Sequence, residues 1–307
     1  RTSMASPALA RAVELVVHRG VQRVLNGVSE TLCQGEVVVI MGENGSGKTT
    51  LIEAFAGLLP LRSGDVIWVE SGNSIVVRDS QGRRNQPPSM GLTLQKGGVC
   101  GEETVMERIS VSLTVAGIEH SDHQIMELLS LWGLEHRAND RLAHLSGGLR
   151  KRVAILGGLA PAALSNSPLV VLLDEPSEGL DDSAKDILRS WIRSLSSRNH
   201  AILMATHDKD ISSSADRVLT IRDGSIEERI GKSLGDICYL PHPGERGNKT
   251  PVSSLVKWSV EMEVRNPIET VGRVTPAIVA ILLSYALLYG QDFELQDSRL
   301  HASLILA

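Results

Sequence analysis

Aromatic residues and runs of basic residues are scarce in this chain, and each scarcity argues against a class of function. Phe, Trp and Tyr make up 3% of the 307 residues, so the stacking surfaces that bind single-stranded nucleic acids are lacking. The formal net charge is −5 and no long basic run occurs, which argues against nucleic acid as the main partner. We therefore expect no nucleic-acid partner.

Cysteine is also rare, and a secretory signal is lacking. The three cysteines are far apart and odd in number, so neither a disulfide framework nor a zinc-ligand spacing is visible. A reduced compartment is the simplest interpretation. The first residues, RTSMASPALARAVELVV, lack the charged start and long apolar run of a signal peptide. The chain is 42% hydrophobic and 22% charged, a composition that supports a packed core.

Short β-branched runs alternate with segments of helical periodicity, and this alternation predicts an α/β fold. The stretch PLVVLLDEP is apolar without alternation, as expected for a parallel strand covered on both faces. Predicted strands cover 12–17, 36–41, 75–77, 168–176 and 201–208, and a final strand pair surrounds the Asp-Gly turn of RVLTIRDGSIEER. Predicted helices cover 48–58, 104–116, 121–132, 149–164 and 183–197.

The α/β pattern ends near residue 232, where Pro, Gly and Ser become frequent. We predict a domain over 10–232, a linker over 233–254 and a C-terminal segment over 255–307. In that segment, residues 274–290 (VTPAIVAILLSYALLYG) carry no charge. As a helix they would span about 25 Å, close to the roughly 30 Å of a bilayer core. Basic residues before them and acidic residues after them favour a membrane span with the domain in the cytoplasm. A buried helix of a small C-terminal domain is the alternative.

A phosphate loop is predicted at 42–50. The stretch GENGSGKTT fits G-x-x-x-x-G-K-[ST], follows a predicted strand and opens a predicted helix. Its glycines let successive backbone N–H groups point at phosphates, and the helix start adds positive potential. Lys48 supplies a charge for the β- and γ-phosphates and Thr49 a hydroxyl for Mg²⁺. The predicted nucleotide-binding residues are Gly42, Glu43, Asn44, Gly45, Ser46, Gly47, Lys48, Thr49 and Thr50.

Two carboxylates follow the apolar strand of PLVVLLDEP. Asp174 and Glu175 come at the carboxyl end of that strand, where open α/β sheets bind ligands. In a chain with a phosphate loop, Asp174 is predicted to hold Mg²⁺ and Glu175 to polarise the attacking water as general base.

Together these residues resemble the ATPase domains of ABC transporters over about 10–232. The further motifs of that family occur in the family's order: TLQKGG with Gln95, LSGG at 145–148, SEGLDD with Asp181, and ATHD with His207. Six motifs in one order are a far more specific signal than any one of them.

The resemblance implies a P-loop NTPase of the ABC type with a helical subdomain at about 96–150. Two such domains would sandwich two ATP molecules, and Ser146, Gly147 and Gly148 of one subunit would contact the ATP held by the other. A helix that starts at small residues is a reasonable anion site. The implied catalytic residues are Lys48, Gln95, Glu175 and His207, and the implied metal ligands are Thr49, Gln95 and Asp174.

The cofactors implied are ATP and Mg²⁺. The implied partners are a second, identical ATPase subunit and a transmembrane permease, either separate or fused. The resemblance thus implies ATP hydrolysis that powers transport, at the cytoplasmic face of the cell membrane. Two alternatives stay open: an ABC ATPase that remodels a soluble complex, and a weakly hydrolysing nucleotide-binding regulatory module.

Three features depart from the family pattern. Leu149 stands where LSGGQ has Gln, and we expect ATP binding to survive because Ser146 and the glycines carry the phosphate contact. No aromatic residue is evident for adenine stacking; His18 is the nearest candidate, with a surface loop residue as the alternative. Gly157 and Gly158 predict that the helix over 149–164 is broken or loosened near them.

A second resemblance, carried by fewer residues than the ABC motifs, is to the heme exporter ATPase subunit of cytochrome c maturation. The stretch GLLPLRSGDVIW and the short ATPase domain are similar to that subunit, and the segment after the linker is similar to the start of its permease. This resemblance implies heme as the cargo and a chain that is part of an ATPase–permease fusion.

Overall fold

The computed structural model describes residues 6–95 and 101–243. The chain divides into two compact units, Arg1–Thr250 and Pro251–Ala307, and all described residues belong to the first. The predicted C-terminal segment 255–307, with its candidate span 274–290, lies outside them. Among the described residues, no helix is long and apolar enough to cross a bilayer.

The described part of the chain alternates strands and helices as predicted, with additional strands early in the chain. The strands are β1 (Ala8–Arg19), β2 (Gln22–Cys33), β3 (Val37–Met41), β4 (Ser63–Glu70), β5 (Asn73–Asp79), β6 (Met90–Thr93), β7 (Val170–Asp174), β8 (Ala201–Ala205), β9 (Arg217–Arg222) and β10 (Ser225–Ile230). The helices are α1 (Lys48–Phe55), α2 (Val105–Val115), α3 (Asp122–Leu131), α4 (Gly147–Ala163), α5 (Asp182–Ser197) and α6 (Lys209–Ser212).

Two sheets organise the domain. The larger has the order β10-β9-β3-β8-β7-β6, and all of its neighbouring strands run parallel except the β9–β10 hairpin. The smaller sheet has the order β2-β1-β4-β5 and is antiparallel throughout. The parallel strands bring the ends of β3, β7 and β8 to one edge, where the phosphate loop and the acidic pair follow.

Hydrophobic residues cover the larger sheet on both faces. Val38 and Ile40 of β3 pack into a cluster with α1 and the antiparallel sheet, whereas Val37 and Val39 pack into a second cluster with the helices. Successive side chains of a strand point to opposite faces, so the continuous apolar pattern of β3 follows from burial on both. In the second cluster Trp132 meets Trp191 edge-to-face, with ring centroids 5.6 Å apart.

Helices α2 and α3 begin at the predicted places because each has a capping box. Thr104 caps α2 and Glu107 reaches back to the Thr104 backbone; Ser121 and Gln124 do the same for α3. Their apolar faces, which include Ile109 and Leu129, join the second cluster. These helices lie within the stretch predicted as a helical subdomain.

Helix α4 is continuous through Gly157 and Gly158, so the predicted break is wrong. The glycines serve close packing instead. A Cβ at residue 158 would lie 2.0 Å from the Thr93 hydroxyl, and one at Gly91 would lie 2.2 Å from the carbonyl oxygen of Gly158. Strand β6 therefore approaches the helix at distances that only glycine allows. This contact offsets the low helix propensity of glycine.

The described part of the predicted linker, residues 233–243, lies against the domain as an extended segment that we call the C-terminal strap. Leu240 is buried, and its carbonyl oxygen accepts a hydrogen bond of 2.7 Å from Arg198 after α5. Tyr239 donates to Glu127 of α3 at 2.8 Å. Within the predicted linker, these contacts join the strap to α3 and to the end of α5.

Candidate nucleotide-binding site

The phosphate loop joins β3 to α1 and leaves the start of α1 open. Gly47 precedes the helix with φ 112°, and within the described residues no side chain caps the first turn. Gly42 and Gly45 also have positive φ, of 148° and 82°, which favours glycine at both positions. Uncapped N–H groups at a helix start bind anions, so the loop can receive phosphate groups.

Lys48 holds the loop in shape from inside. Its Nζ donates to the carbonyl oxygens of Gly42 at 2.9 Å and Glu43 at 3.1 Å, and its side chain is buried. The ammonium group thus lies within the loop, where a β- or γ-phosphate oxygen could replace a carbonyl as its partner.

Asp174 ends β7 as a fully buried carboxylate. Burial raises the pKa of Asp174 above its usual value, and the Thr49 hydroxyl, the Gln95 backbone and the ammonium groups of Lys151 and Lys48 offset this rise only in part. Neither carboxylate oxygen makes a regular hydrogen bond within the described part of the chain. An orphaned carboxylate beside a threonine hydroxyl fits Mg²⁺, which takes few protein oxygens and completes its shell with phosphates and water.

Glu175 follows in a left-handed conformation, with φ 46°. Its backbone N–H donates to Ala205 at 2.9 Å, which ties it to the end of β8. His207 follows the same strand end, and its Nδ1 lies 2.9 Å from Glu175 Oε2. A neutral imidazole that donates from Nδ1 to the carboxylate satisfies this contact. The structure therefore brings the predicted general base, Glu175, into direct contact with His207 of the ATHD motif.

Gln95 lies near the acidic pair, at the end of the first described range. Its side-chain Nε2 donates to Glu178 Oε2 at 3.3 Å, and its backbone faces Asp174. The proximity is compatible with the predicted contact to metal or water, which stays a prediction.

The start of α4 is exposed. Ser146 precedes the helix and its Oγ accepts a 3.4 Å hydrogen bond from the Leu149 N–H. Ser146, Gly147 and Gly148 are exposed, and a Cβ at Gly147 would meet open space. Leu149 is half-buried and packs against the helical cluster, which gives an apolar residue a physical reason to stand there.

Two basic residues of α4 that the motifs did not single out connect the helix to its neighbours, one to the start of α5 and one to the acidic strand end. Arg152 makes contacts of 2.6 and 2.8 Å with the carboxylate of Asp181, which itself caps α5. Lys151 Nζ donates to the backbone oxygen of Glu175 at 2.9 Å. The signal in the sequence is the basic run of LSGGLRKR, but only the packing shows which basic residue faces which acid.

His18 is exposed near the end of β1. Its neighbour Arg19 pairs with Glu53 of α1, which places this end of β1 beside the helix that follows the phosphate loop. Contact between His18 and adenine stays a prediction.

A phosphate loop, an acidic strand end and a paired glutamate and histidine on one parallel sheet define a P-loop ATPase of the ATP-binding cassette type. The family described as "ABC transporter" matches residues 25–178. The lipoprotein-releasing system ATP-binding protein LolD of Granulibacter bethesdensis is 32% identical over 228 residues, which are 72% of this chain and 97% of LolD. The chain belongs to the ABC transporter family, as its motifs predicted, and its ATPase domain is a nucleotide-hydrolysing enzyme of that family.

Other relatives are longer. The macrolide export ATP-binding/permease protein MacB of Psychrobacter cryohalolentis is 34% identical over 208 residues, which are 66% of this chain and 30% of MacB. The chain therefore aligns with about a third of that relative's length.

Solved ATP-binding cassettes share the fold. The ATP-binding subunit of an ABC transporter has a TM-score of 0.63 at 22% identity, over 72% of this chain and 90% of its own. The dimeric ATP-binding cassette MJ0796, solved with ADP and Pi, has a TM-score of 0.62 at 22% identity, over 72% and 98%. The predicted fold class is thereby confirmed.

Proposed function

We propose that this chain binds Mg²⁺·ATP and hydrolyses it between two copies of itself to power transport across a membrane. The observation that carries the proposal is the Glu175–His207 contact beside the buried, orphaned carboxylate of Asp174. Glu175 would accept a proton from water as that water attacks the γ-phosphorus, while His207 contacts the γ-phosphate. Lys48 and the start of α1 would hold the β- and γ-phosphates, and Thr49 and Asp174 would hold the metal.

The roles of Lys48 and Glu175 are tested by one set of variants. We expect Lys48→Ala to weaken ATP binding and hydrolysis, since the phosphates lose a buried cation. We expect Glu175→Gln to bind ATP with hydrolysis reduced at least about a hundredfold, in the range for loss of a general base, and to accumulate ATP-bound dimers. Phosphate release and size-exclusion chromatography with ATP measure both. Glu119→Gln, at an exposed carboxylate, is the matched control. Full hydrolysis by either site variant would contradict the assigned role.

We propose a transmembrane permease as the partner and the cytoplasmic face of the membrane as the location. Family membership and relatives that include an ATP-binding/permease protein support this. The test is fractionation of cells that express the natural full-length protein with an affinity tag. Recovery in the membrane fraction with a hydrophobic partner or domain is the expected result. Recovery as a detergent-free soluble complex would favour the alternative of a remodelling ATPase.

For the cargo we propose heme export, on the similarity of GLLPLRSGDVIW to a heme exporter subunit. The relatives named above carry other cargoes in their names, macrolides and lipoproteins, so the test must compare them. With the permease reconstituted in vesicles, stimulation of ATP hydrolysis by heme, and not by a macrolide or a lipoprotein, is expected. Stimulation by the macrolide or the lipoprotein, and not by heme, would contradict heme as the cargo.

A further inference from the structure

We infer that Lys151 is a positioning residue for ATP hydrolysis: it holds the backbone of Glu175 and offsets the charge of the carboxylates around it. This inference rests on the hydrolysis proposed above. The role belongs to a residue of α4, two positions after Leu149, that lies on the same chain as the carboxylates.

The contact that carries the inference joins Lys151 Nζ to the carbonyl oxygen of Glu175, at 2.9 Å. That oxygen also faces the N–H of Glu178, at 3.3 Å. Lys151 is half-buried, so water competes less for its ammonium group than it would at an exposed lysine. A charged donor makes a stronger hydrogen bond than a neutral one.

The conformation of Glu175 explains why such a contact matters. A φ of 46° in a non-glycine residue carries backbone strain that surrounding contacts must maintain. The N–H of Glu175 is held by Ala205 and its carbonyl oxygen by Lys151. With both peptide groups fixed, the side chain is directed toward His207. Loss of the Lys151 contact would let the peptide turn and carry the carboxylate away from the attacking water.

Charge is the second reason. Three carboxylates, those of Asp174, Glu175 and Glu178, interact with the Lys151 ammonium group. Burial lowers the pKa of Lys151 and these three carboxylates oppose that shift. The positive charge of Lys151 thus lies among three carboxylates and partly offsets their negative charge.

The position of Lys151 on α4 gives the contact a further consequence. Ser146, at the start of the same helix, is predicted to contact the ATP of the partner subunit. A shift of α4 on closure of the dimer would move Lys151 with it. Occupation of the neighbouring site would then move the backbone of Glu175 through the single Lys151–Glu175 hydrogen bond, with no long chain of contacts in between.

The test compares three substitutions in the dimer-forming protein. Lys151→Met removes the ammonium group at similar length, Lys151→Gln keeps a neutral donor, and Lys151→Arg keeps a cationic donor. We expect Lys151→Met to lower kcat at least about tenfold with KM within threefold, as for an interaction needed only after binding. Lys151→Arg should recover most of the loss and Lys151→Gln less. Lys232→Met, at an exposed lysine, is the matched control and should leave kcat unchanged.

A double-variant cycle separates positioning from general stability. In a Glu175→Gln background, Lys151→Met should lower the residual rate by less than twofold, because the group that it positions is already removed. A full tenfold further loss in that background would overturn the inference, as would a Lys151→Met kcat equal to that of the parent. If Lys151→Met fails to fold, the ranking of Arg above Gln decides in the same way. Absence of hydrolysis in the parent chain would instead contradict the proposed function.

Discussion

At the residue scale, His200 shows how burial, with a nearby cation, sets a protonation state. It lies at the entrance of β8, 1% exposed, and its Nδ1 accepts a 3.0 Å hydrogen bond from the Leu169 N–H. Burial lowers its pKa to about 4, and the nearby Arg198 adds to this effect. The imidazole is therefore neutral in the folded chain at neutral pH, which its acceptor role requires.

This protonation state predicts a pH-dependent stability. The unfolded chain binds the His200 proton near pH 6.5 and the folded chain only near pH 4, so protonation favours unfolding. The stabilisation is fully present above about pH 6.5 and is lost as the pH falls toward 4, by roughly 1–2 kcal/mol between pH 7 and pH 5. Urea unfolding at these two pH values measures it. His200→Asn should flatten this part of the profile, and an unchanged slope would contradict the assignment.

The packing of Leu149 leads to a second prediction at the residue scale, on stability and nucleotide binding. Because its side chain packs on the helical cluster while the Ser146 end of α4 stays exposed, Leu149→Gln should act on stability more than on nucleotide binding. We expect the free energy of unfolding to fall by about 1 kcal/mol, with ATP affinity within threefold. A fluorescent ATP analogue and urea unfolding measure the two. Leu149→Met should change neither, whereas a large loss of affinity in the Gln variant would contradict this prediction.

At the scale of elements, the contact between α4 and β6 stabilises a helix whose glycines have low helix propensity. Gly91 and Gly158 allow the helix to approach the strand, and Gly157 faces the Ser112 hydroxyl of α2. Buried residues of α4 pack in one hydrophobic cluster with residues of the larger sheet and of α2. The apolar area buried by this packing outweighs the cost of about 1 kcal/mol for each glycine in a helix.

A substitution at this contact separates propensity from packing. Gly158→Ala gains about 1 kcal/mol of helix propensity, but its Cβ would lie 2.0 Å from the Thr93 hydroxyl oxygen. Overpacking of this kind costs about 1–3 kcal/mol, so we expect a net loss of stability. Thermal unfolding measures the change, with Gly158→Ala in a Thr93→Ala background as the comparison. That pair should recover part of the loss, and a stabilised Gly158→Ala protein would show that the strand moves freely.

At the scale of the whole molecule, we propose that one chain supplies two different halves of a nucleotide site. The phosphate loop lies at the edge of the parallel sheet, and the exposed start of α4 carries Ser146, whose hydroxyl caps the helix by accepting the Leu149 N–H. We propose that these halves meet between two subunits, as the family's motifs imply.

A complementation experiment tests this arrangement. Lys48→Ala and Ser146→Arg proteins should each be nearly inactive. In a mixed dimer, one of the two sites combines an intact Lys48 with an intact Ser146, so a random mixture should regain about a quarter of the parent rate, the share of intact sites in a two-fold dimer. Phosphate release from equal mixtures measures it. Mixing two preparations of the same variant is the control, and a mixture as inactive as its components would contradict shared sites.

Local sequence determined much of this protein. The phosphate loop, the acidic pair and helices α2 and α3 are set by residues close together in the chain, so the patterns predicted them. The smaller, antiparallel sheet was predicted only in part. Its strands β2 and β4 mix polar and apolar residues, and both are ordered by pairing with β1.

The tertiary structure alone decided what depends on distant residues. The Glu175–His207 contact, the Lys151 hydrogen bond and the strap on Arg198 join residues 24 to 43 positions apart. The continuity of α4 through its glycines depends on β6, more than sixty positions earlier for Thr93 and Gly158. Composition and periodicity describe how a segment prefers to fold, whereas these features come from the surfaces that segments bury against each other.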